Sequence, residues 1–288
     1  MGDELAGIQA TWEFETDSVI IRFERGHRAP KLFQTLRERR IPHEALASVT
    51  LSPGKRGTVV LHAAPRPGAD PLMEAAAGQL KEACDPYRLV LPADRETLAE
   101  YYADELRAVL PSDADRPVDR YAVAAPSAPL NFKAYDGKAS FDGSRVDFRW
   151  SWAGASSAKW KAGDQCFPVD ELSGVEWRTP EALDGYLRLV RRANPPVDDT
   201  TRPALDKDPA ALMFGLNKGQ VHESLPFAAA VLESVQNSGS PPAMAMQACR
   251  RDPADIAERI RHLGELHLAG LVTDEEFSSK KAQLLAEL

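Results

Sequence analysis

The sequence predicts a mainly β protein with added helices (α+β): two tandem bent β-barrels, each capped by a C-terminal helix, then a two-helix hairpin. Three observations predict it. A spaced element, Ile41-Pro42, Leu46, Val49, returns with identical spacing as Phe167-Pro168, Leu172, Val175. Strand-like runs precede and follow it in both places, and an amphipathic helical pattern closes each copy.

The first copy begins with β-like runs over 9–14 and 18–23, with Asp17-Ser18 as the turn. In the second, Val146, Phe148, Trp150 and Trp152 alternate with Asp147, Arg149 and Ser151. That period of two marks a strand with one buried face, and it makes core residues of Trp150, Trp152 and Trp160. After the repeated element, a glycine opens a strand in each copy, at Gly57 and at Gly185. Asp85-Pro86 then leads to Leu89, Val90 and Leu91, as Asp208-Pro209 leads to Leu212, Met213 and Phe214.

The closing helices run near 95–110 and 220–235. Leu98, Tyr101, Tyr102, Leu106, Val109 and Leu110 stripe the first; Val221, Leu225, Ala228, Leu232 and Val235 stripe the second. Pro226 should end or kink the second helix. Asp70-Pro71 reads as a helix start, with Met73, Ala76, Leu80 and Cys84 on one face. The matching stretch in the second copy, 194–207, reads as a loop.

These signals place a first repeat at 5–110, a linker at 111–129, a second repeat at 130–236 and a flexible join at 237–251. The repeats should be separable units that can also pack together. The hairpin occupies 252–288. Asp252-Pro253 starts its first helix, Gly270 stops it, and Thr273 to Glu276 form a capping box for the second. Ile256, Ile260, Leu263, Leu271, Phe277, Leu284 and Leu285 are its candidate self-association residues. Two helices this short need a partner for their apolar faces.

The segment Leu268-Ala269-Gly270-Leu271-Val272-Thr273-Asp274-Glu275-Glu276-Phe277, continuing to Lys280-Lys281 and Leu284-Leu285, closely resembles the SHOCT module, a short C-terminal domain of bacterial proteins. The two repeats resemble a bacterial domain of unknown function, family 4429, which occurs as a tandem pair ahead of such a module. That family is similar to the pleckstrin-homology-like (PH-like) superfold. The resemblance implies a bent seven-stranded barrel closed by a helix, and a hairpin that mediates association. It brings no catalytic residue.

Composition and charge narrow the function. The chain has 288 residues, 43% apolar and 27% charged, with a net charge of −8. That balance disfavours a nucleic-acid partner, because neutralising phosphates needs a basic face. The apolar runs fall short of the ~20 residues that cross a bilayer. Cys84, Cys166 and Cys249 are widely scattered and read as three reduced thiols, so a cytoplasmic location is expected, and Met1-Gly2-Asp3-Glu4-Leu5, with no basic region ahead of an apolar stretch, reads as no secretory leader. No phosphate-binding loop, dinucleotide fingerprint or nucleophile elbow occurs, and Ser156-Ser157 and Ser278-Ser279 have no adjacent base. The expectation is a non-enzymatic scaffold or adaptor that binds protein and forms a homo-oligomer, with no metal and no cofactor.

One basic cluster stands out: Arg22, Arg25, Arg28, Lys31, Arg37, Arg39 and Arg40, with Lys55 and Arg56 adding a basic turn. It reads either as a solvated edge or as an anion site for a lipid headgroup, a phosphorylated ligand or an acidic partner. Peripheral contact with an anionic membrane through this cluster is the alternative function. In the second copy the cations Arg145, Arg149, Lys159 and Lys161 are more dispersed.

Overall fold

Short alternating runs form strands here only where a turn returns the chain onto its neighbour. In the computed structural model, residues 3–26, 29–192, 203–216, 218–238, 261, 263–264, 267, 273–274, 277–278 and 281–282 are described. Contacts divide the chain into one unit over 1–241 and a second over 242–288. Both repeats lie in the first unit.

The first repeat contains β1 (Asp3–Ala6), β2 (Ala10–Phe14), β3 (Ser18–Phe23), α1 (Lys31–Leu36), β4 (Glu38–Pro42), β5 (Leu46–Pro53), β6 (Thr58–Pro65), α2 (Pro71–Ala76), β7 (Arg88–Pro92) and α3 (Glu96–Ala108). The second contains β8 (Leu130–Lys133), β9 (Gly137–Phe141), β10 (Arg145–Trp150), α4 (Ser157–Ala162), β11 (Gln165–Pro168), β12 (Leu172–Arg178), β13 (Tyr186–Arg191), β14 (Ala211–Met213) and α5 (Val221–Ser238). The order matches between copies except that α2 has no described counterpart.

The expected barrel does not close. Each repeat is a four-stranded antiparallel sheet followed by a three-stranded one, in the orders β1-β2-β3-β4 with β5-β6-β7, and β11-β10-β9-β8 with β12-β13-β14. The repeated sequence element is the corner between them. A 3-10 turn at His43–Ala45, and again at Val169–Glu171, takes the chain out of one ladder before the next begins. The same register irregularity follows each corner, between Leu46 and Ser48 and between Leu172 and Gly174. One backbone bond joins the far edges: Ile8 N–H to Val90 O at 2.8 Å, and Tyr135 N–H to Met213 O at 3.0 Å.

Ladder register corrects one equivalence. Leu61 opposes Leu89, and Leu187 opposes Leu212, so Leu61 corresponds to Leu187. Gly57 and Gly185 are therefore offset by their hairpin loops. The Asp-Pro landmarks do correspond. Asp85 Oδ1 accepts from Tyr87 N–H at 2.9 Å, and Asp208 Oδ1 from Ala210 N–H at 2.8 Å. Each carboxylate also meets a basic-type side chain from the neighbouring strand, the His62 ring at 3.2 Å and the Arg188 guanidinium at 2.7 Å.

The closing helices differ in surroundings. α3 buries one face through Ala99, Tyr102, Ala103 and Leu106 and leaves Leu98, Tyr101 and Val109 exposed. α5 runs unbroken through Pro226 and is buried from Ser224 to Leu232. It packs on β8 and β12 of its own repeat and on α1 and α2 of the first. Asp70 caps α2 as expected, its Oδ1 accepting from Leu72 N–H at 2.8 Å. That helix stops early, however, because Ala77 and Gly78 are left-handed, with φ of 45° and 74°. Leu80 and Cys84 fall beyond it.

The stretch read as a linker is strapped to both repeats. Val118 N–H donates to Pro67 O at 2.9 Å, and Ala122 N–H to Ala69 O at 2.9 Å. Tyr121 N–H donates to Gln236 Oε1 at 2.9 Å, and Gln236 Nε2 returns a bond to Asp119 O at 3.0 Å. Gln79 of the first repeat donates to Trp177 O and accepts from Thr179 N–H, both at 3.0 Å, capping the exposed side of β12. The expected join at 237–251 lies, from 239 onward, outside the described residues.

Gly68 sits where the strap crosses, with φ +80° and the position of an added Cβ only 2.3 Å from Val118 O. Gly57 has φ +70° with nothing within 4 Å. Gly68→Ala should therefore lose about 1–3 kcal/mol in urea unfolding, and clearly more than Gly57→Ala, which bears backbone strain alone. Equal losses would show that the strap does not matter to stability.

Candidate functional site

The basic cluster is divided by the alternation of strands β3 and β4. Arg22 and Arg40 point out of the sheet, whereas Arg39 points in. Arg22 pairs with Glu13 and with Glu38, the latter at 3.0 Å. Arg40 pairs with Glu15 at 2.8 Å and Asp17 at 2.9 Å. These side chains form a mixed-charge ladder on a solvated face, and such pairs contribute little to stability. Lys31 and Arg37 flank α1, Arg25 follows β3, and Lys55 and Arg56 lie in the β5–β6 turn. Arg28 lies outside the described residues. The cluster is thus three dispersed groups, and Arg25, Lys31, Arg37, Lys55 and Arg56 carry no ion pair among the described residues.

Arg39 is only 4% exposed and belongs to a buried triad. Its Nη2 donates to Asp70 Oδ1 at 2.7 Å and its Nε to the Tyr87 hydroxyl at 3.2 Å. Tyr87 in turn donates to Asp70 Oδ2 at 2.5 Å. Burial opposes the Arg39 charge, but the oxygens of Tyr87 and Asp70 more than reverse this and raise its pKa. Burial raises the Tyr87 phenol well above its ordinary range, so it stays neutral as a donor. Every strong group in the triad is satisfied, and Asp70 also caps α2. The arrangement ties β4 and β7 to the helix on which α5 packs. It has no exposed reactive atom.

The second repeat has its own buried charge pair, which the sequence reading missed because Lys159 was counted among the surface cations. Lys159 is fully buried, with Nζ 2.6 Å from Asp136 Oδ2 and 2.8 Å from Ala211 O. It lies over the Trp150 ring, 5.1 Å from the centroid. Where the second repeat has Lys159 on Trp150, the first has Phe33 stacked on Phe23, with centroids 4.5 Å apart. The buried cation thus occupies an aromatic position and needs a counter-ion. Asp136 supplies it and also accepts from Met213 N–H at 3.0 Å. Burial raises the Asp136 carboxyl, and Lys159 offsets part of that rise.

The tryptophans divide as well. Trp150 ends β10 and is buried, but Trp152 and Trp160 are 58% and 37% exposed, which corrects their reading as core residues. The period-two pattern ends with the strand at Trp150, so it does not govern Trp152. Cys84 keeps a free thiol, and Cys249 lies outside the described residues.

In the second unit, Leu263 is buried, and the His267 ring stacks on Phe277 with centroids 4.6 Å apart. His267 also lies 3.2 Å from Asp274, and Lys281 lies over the Phe277 ring. Phe277 N–H donates to Thr273 O at 2.9 Å, the helical bond expected after a Thr cap. Ile256, Ile260, Leu271, Leu284 and Leu285 lie outside the described residues. Among those described, no group of acidic, His or Cys side chains could hold a metal ion.

A duplicated α+β unit, four strands then three with a closing helix, defines this as a tandem-domain protein. The chain belongs to the family described as Domain of unknown function (DUF4429), whose model matches residues 12–107 and 139–232. Each match covers one repeat. No curated protein matches the chain.

Lys159→Met leaves the Asp136 carboxylate buried without its counter-charge, at a cost of about 3–5 kcal/mol near neutral pH. The folded variant then holds a proton that the unfolded carboxyl releases near its ordinary pKa of about 3.9. The variant therefore loses stability as pH rises from that value through the raised folded one. Its deficit against the native chain should be smaller at pH 5 than at pH 8, measured by urea unfolding at both. An equal deficit would contradict the assignment.

Proposed function

We propose that this chain is a non-enzymatic scaffold: two PH-like units fused into one rigid body that carries a SHOCT-type hairpin for self-association. Protein partners would engage the body, and copies of the chain would meet through the hairpin. The PH-like reading draws support from the four-plus-three strand order with a closing helix, present twice. The SHOCT reading draws support from the sequence pattern and from the meeting of His267 with Phe277.

The observation that carries the scaffold reading is the separation of the chain into a large body and a small second unit of 47 residues. A unit of that size has too little apolar surface to be stable by itself. Association between copies supplies what it lacks. The alternative, an anion site on the first repeat, is left with Arg25, Lys31, Arg37, Lys55 and Arg56. A cytoplasmic location belongs to the proposal, supported by the free thiol of Cys84. No helix among the described residues is long and apolar enough to cross a membrane.

Light scattering tests the scaffold reading. The full chain should be an oligomer, and both Phe277→Asp and a chain ending at 241 should fall to monomer mass with the body still folded. If all three have the same mass, the hairpin is not the assembly element.

A further inference from the structure

The second repeat presents an apolar tip ringed by cations, built from the β8–β9 turn and from the loops after β10 and β14. Tyr135, Trp152 and Leu216 stand there 51%, 58% and 87% exposed. Backbone bonds bind the three loops together. Tyr135 N–H donates to Met213 O at 3.0 Å, Ser151 N–H to Asp136 O at 2.8 Å, and Gly219 N–H to Lys133 O at 2.7 Å. Gly154 and Gly215 let the loops close in, since an added Cβ would lie 2.1 Å from Tyr135 O and 2.6 Å from the Tyr135 side chain. The buried Lys159–Asp136 pair holds the turn from beneath.

The charges around the tip are arranged against local stability. Lys133 opposes Lys138, and Lys138 opposes Arg149, so three cations lie in a row across β8, β9 and β10. Like charges directly opposite each other destabilise a sheet. The pair that corresponds to Lys133 and Lys138 in the first repeat is Ala6 and Thr11, which carry no charge. Lys218 adds a fourth cation, 5.9 Å from the Tyr135 ring centroid. Asp136 in the β8–β9 turn is buried on Lys159, and Asp164 lies at the root of the tip, where it accepts from Trp150 N–H at 3.2 Å. The chain that carries this cationic tip has a net charge of −8.

We infer that this tip docks onto an anionic lipid surface, with Tyr135, Trp152 and Leu216 entering the interface and Lys133, Lys138 and Lys218 facing headgroups. Aromatic side chains settle at the headgroup level, and each lysine near such a surface contributes electrostatic attraction. An exposed aliphatic tip beside them suits acyl chains and gives nothing to a stacked base. The three loops are already joined by backbone bonds, which lowers the ordering cost of docking. The inference is independent of hairpin self-association and differs in its residues from the first-repeat cluster.

The full chain should co-sediment with phosphatidylcholine vesicles containing phosphatidylserine, and not with phosphatidylcholine alone, and less as salt rises. Lys133→Ala and Lys138→Ala should each weaken binding about fivefold. Leu216→Ser, at a site too exposed to affect folding, should also weaken it, and tryptophan emission should shift to the blue on vesicle addition in the native chain but much less in Trp152→Ser. Arg25→Ala with Arg37→Ala should bind as the native chain does. Failure to pellet at low salt, binding lost only in the first-repeat variant, or equal binding to a single-stranded oligonucleotide through the same lysines would each overturn the inference.

Discussion

The burial of α5 on all sides is the constraint from which the body's architecture follows. A closing helix normally covers the open side of its own sheets and shows its other face to water, as α3 does. Tyr102 stacks on Phe14 at 4.1 Å, and Phe227 meets Phe141 at 6.0 Å, which sets the two helices in register. Glu100, Tyr101, Asp104 and Glu105 of α3 then fall where α5 has Leu225, Pro226, Ala229 and Ala230. The first set must stay hydrated, and the second must be covered. Small residues let α1 and α2 approach closely, so the first repeat becomes the cover. The strap at 111–129 and the Gln79 clamp on β12 complete the same interface. A change of four side chains on one helix thus separates a pair of linked domains from a single body.

Duplication explains the backbone, and divergence explains the charges. The corners, the register irregularities after them and the bonds joining the sheet edges are alike in both copies, because they are set by backbone geometry. The buried ions are not alike. The first repeat places Arg39 between Asp70 and Tyr87, linking a strand to the docking helix α2. The second replaces an aromatic pair by Lys159 on Trp150 and balances it with Asp136. Each solution stabilises a different neighbourhood: in the first copy the seat of α5, in the second the turn that carries Tyr135.

The repeat itself was legible in the sequence because its corner needs a proline, an apolar residue on each side and fixed spacing. The Asp-Pro turns were legible for the same reason. Strands β1 and β8 were not, being too short to show a period. Helix α1 was hidden because three buried positions in six residues make no stripe, and α4 because it buries Lys159 alone. Sequence spacing grouped Arg22, Arg39 and Arg40, but successive residues on a strand face opposite sides, so one is buried while its neighbours pair outside. Conversely, Lys133, Lys138 and Arg149 are scattered in the chain and adjacent in the sheet. Only strand register brings them together. The composition of 111–129 suggested a linker, and nothing local could reveal that its backbone bonds go to both repeats.

Native-state hydrogen exchange measures most directly whether α5 makes the repeats one body. The account predicts that amides in α5, in β3 of the first repeat and in β10 of the second exchange only through the same global opening, with a common free energy. Protection of one repeat surviving while α5 and the other exchange freely would contradict it.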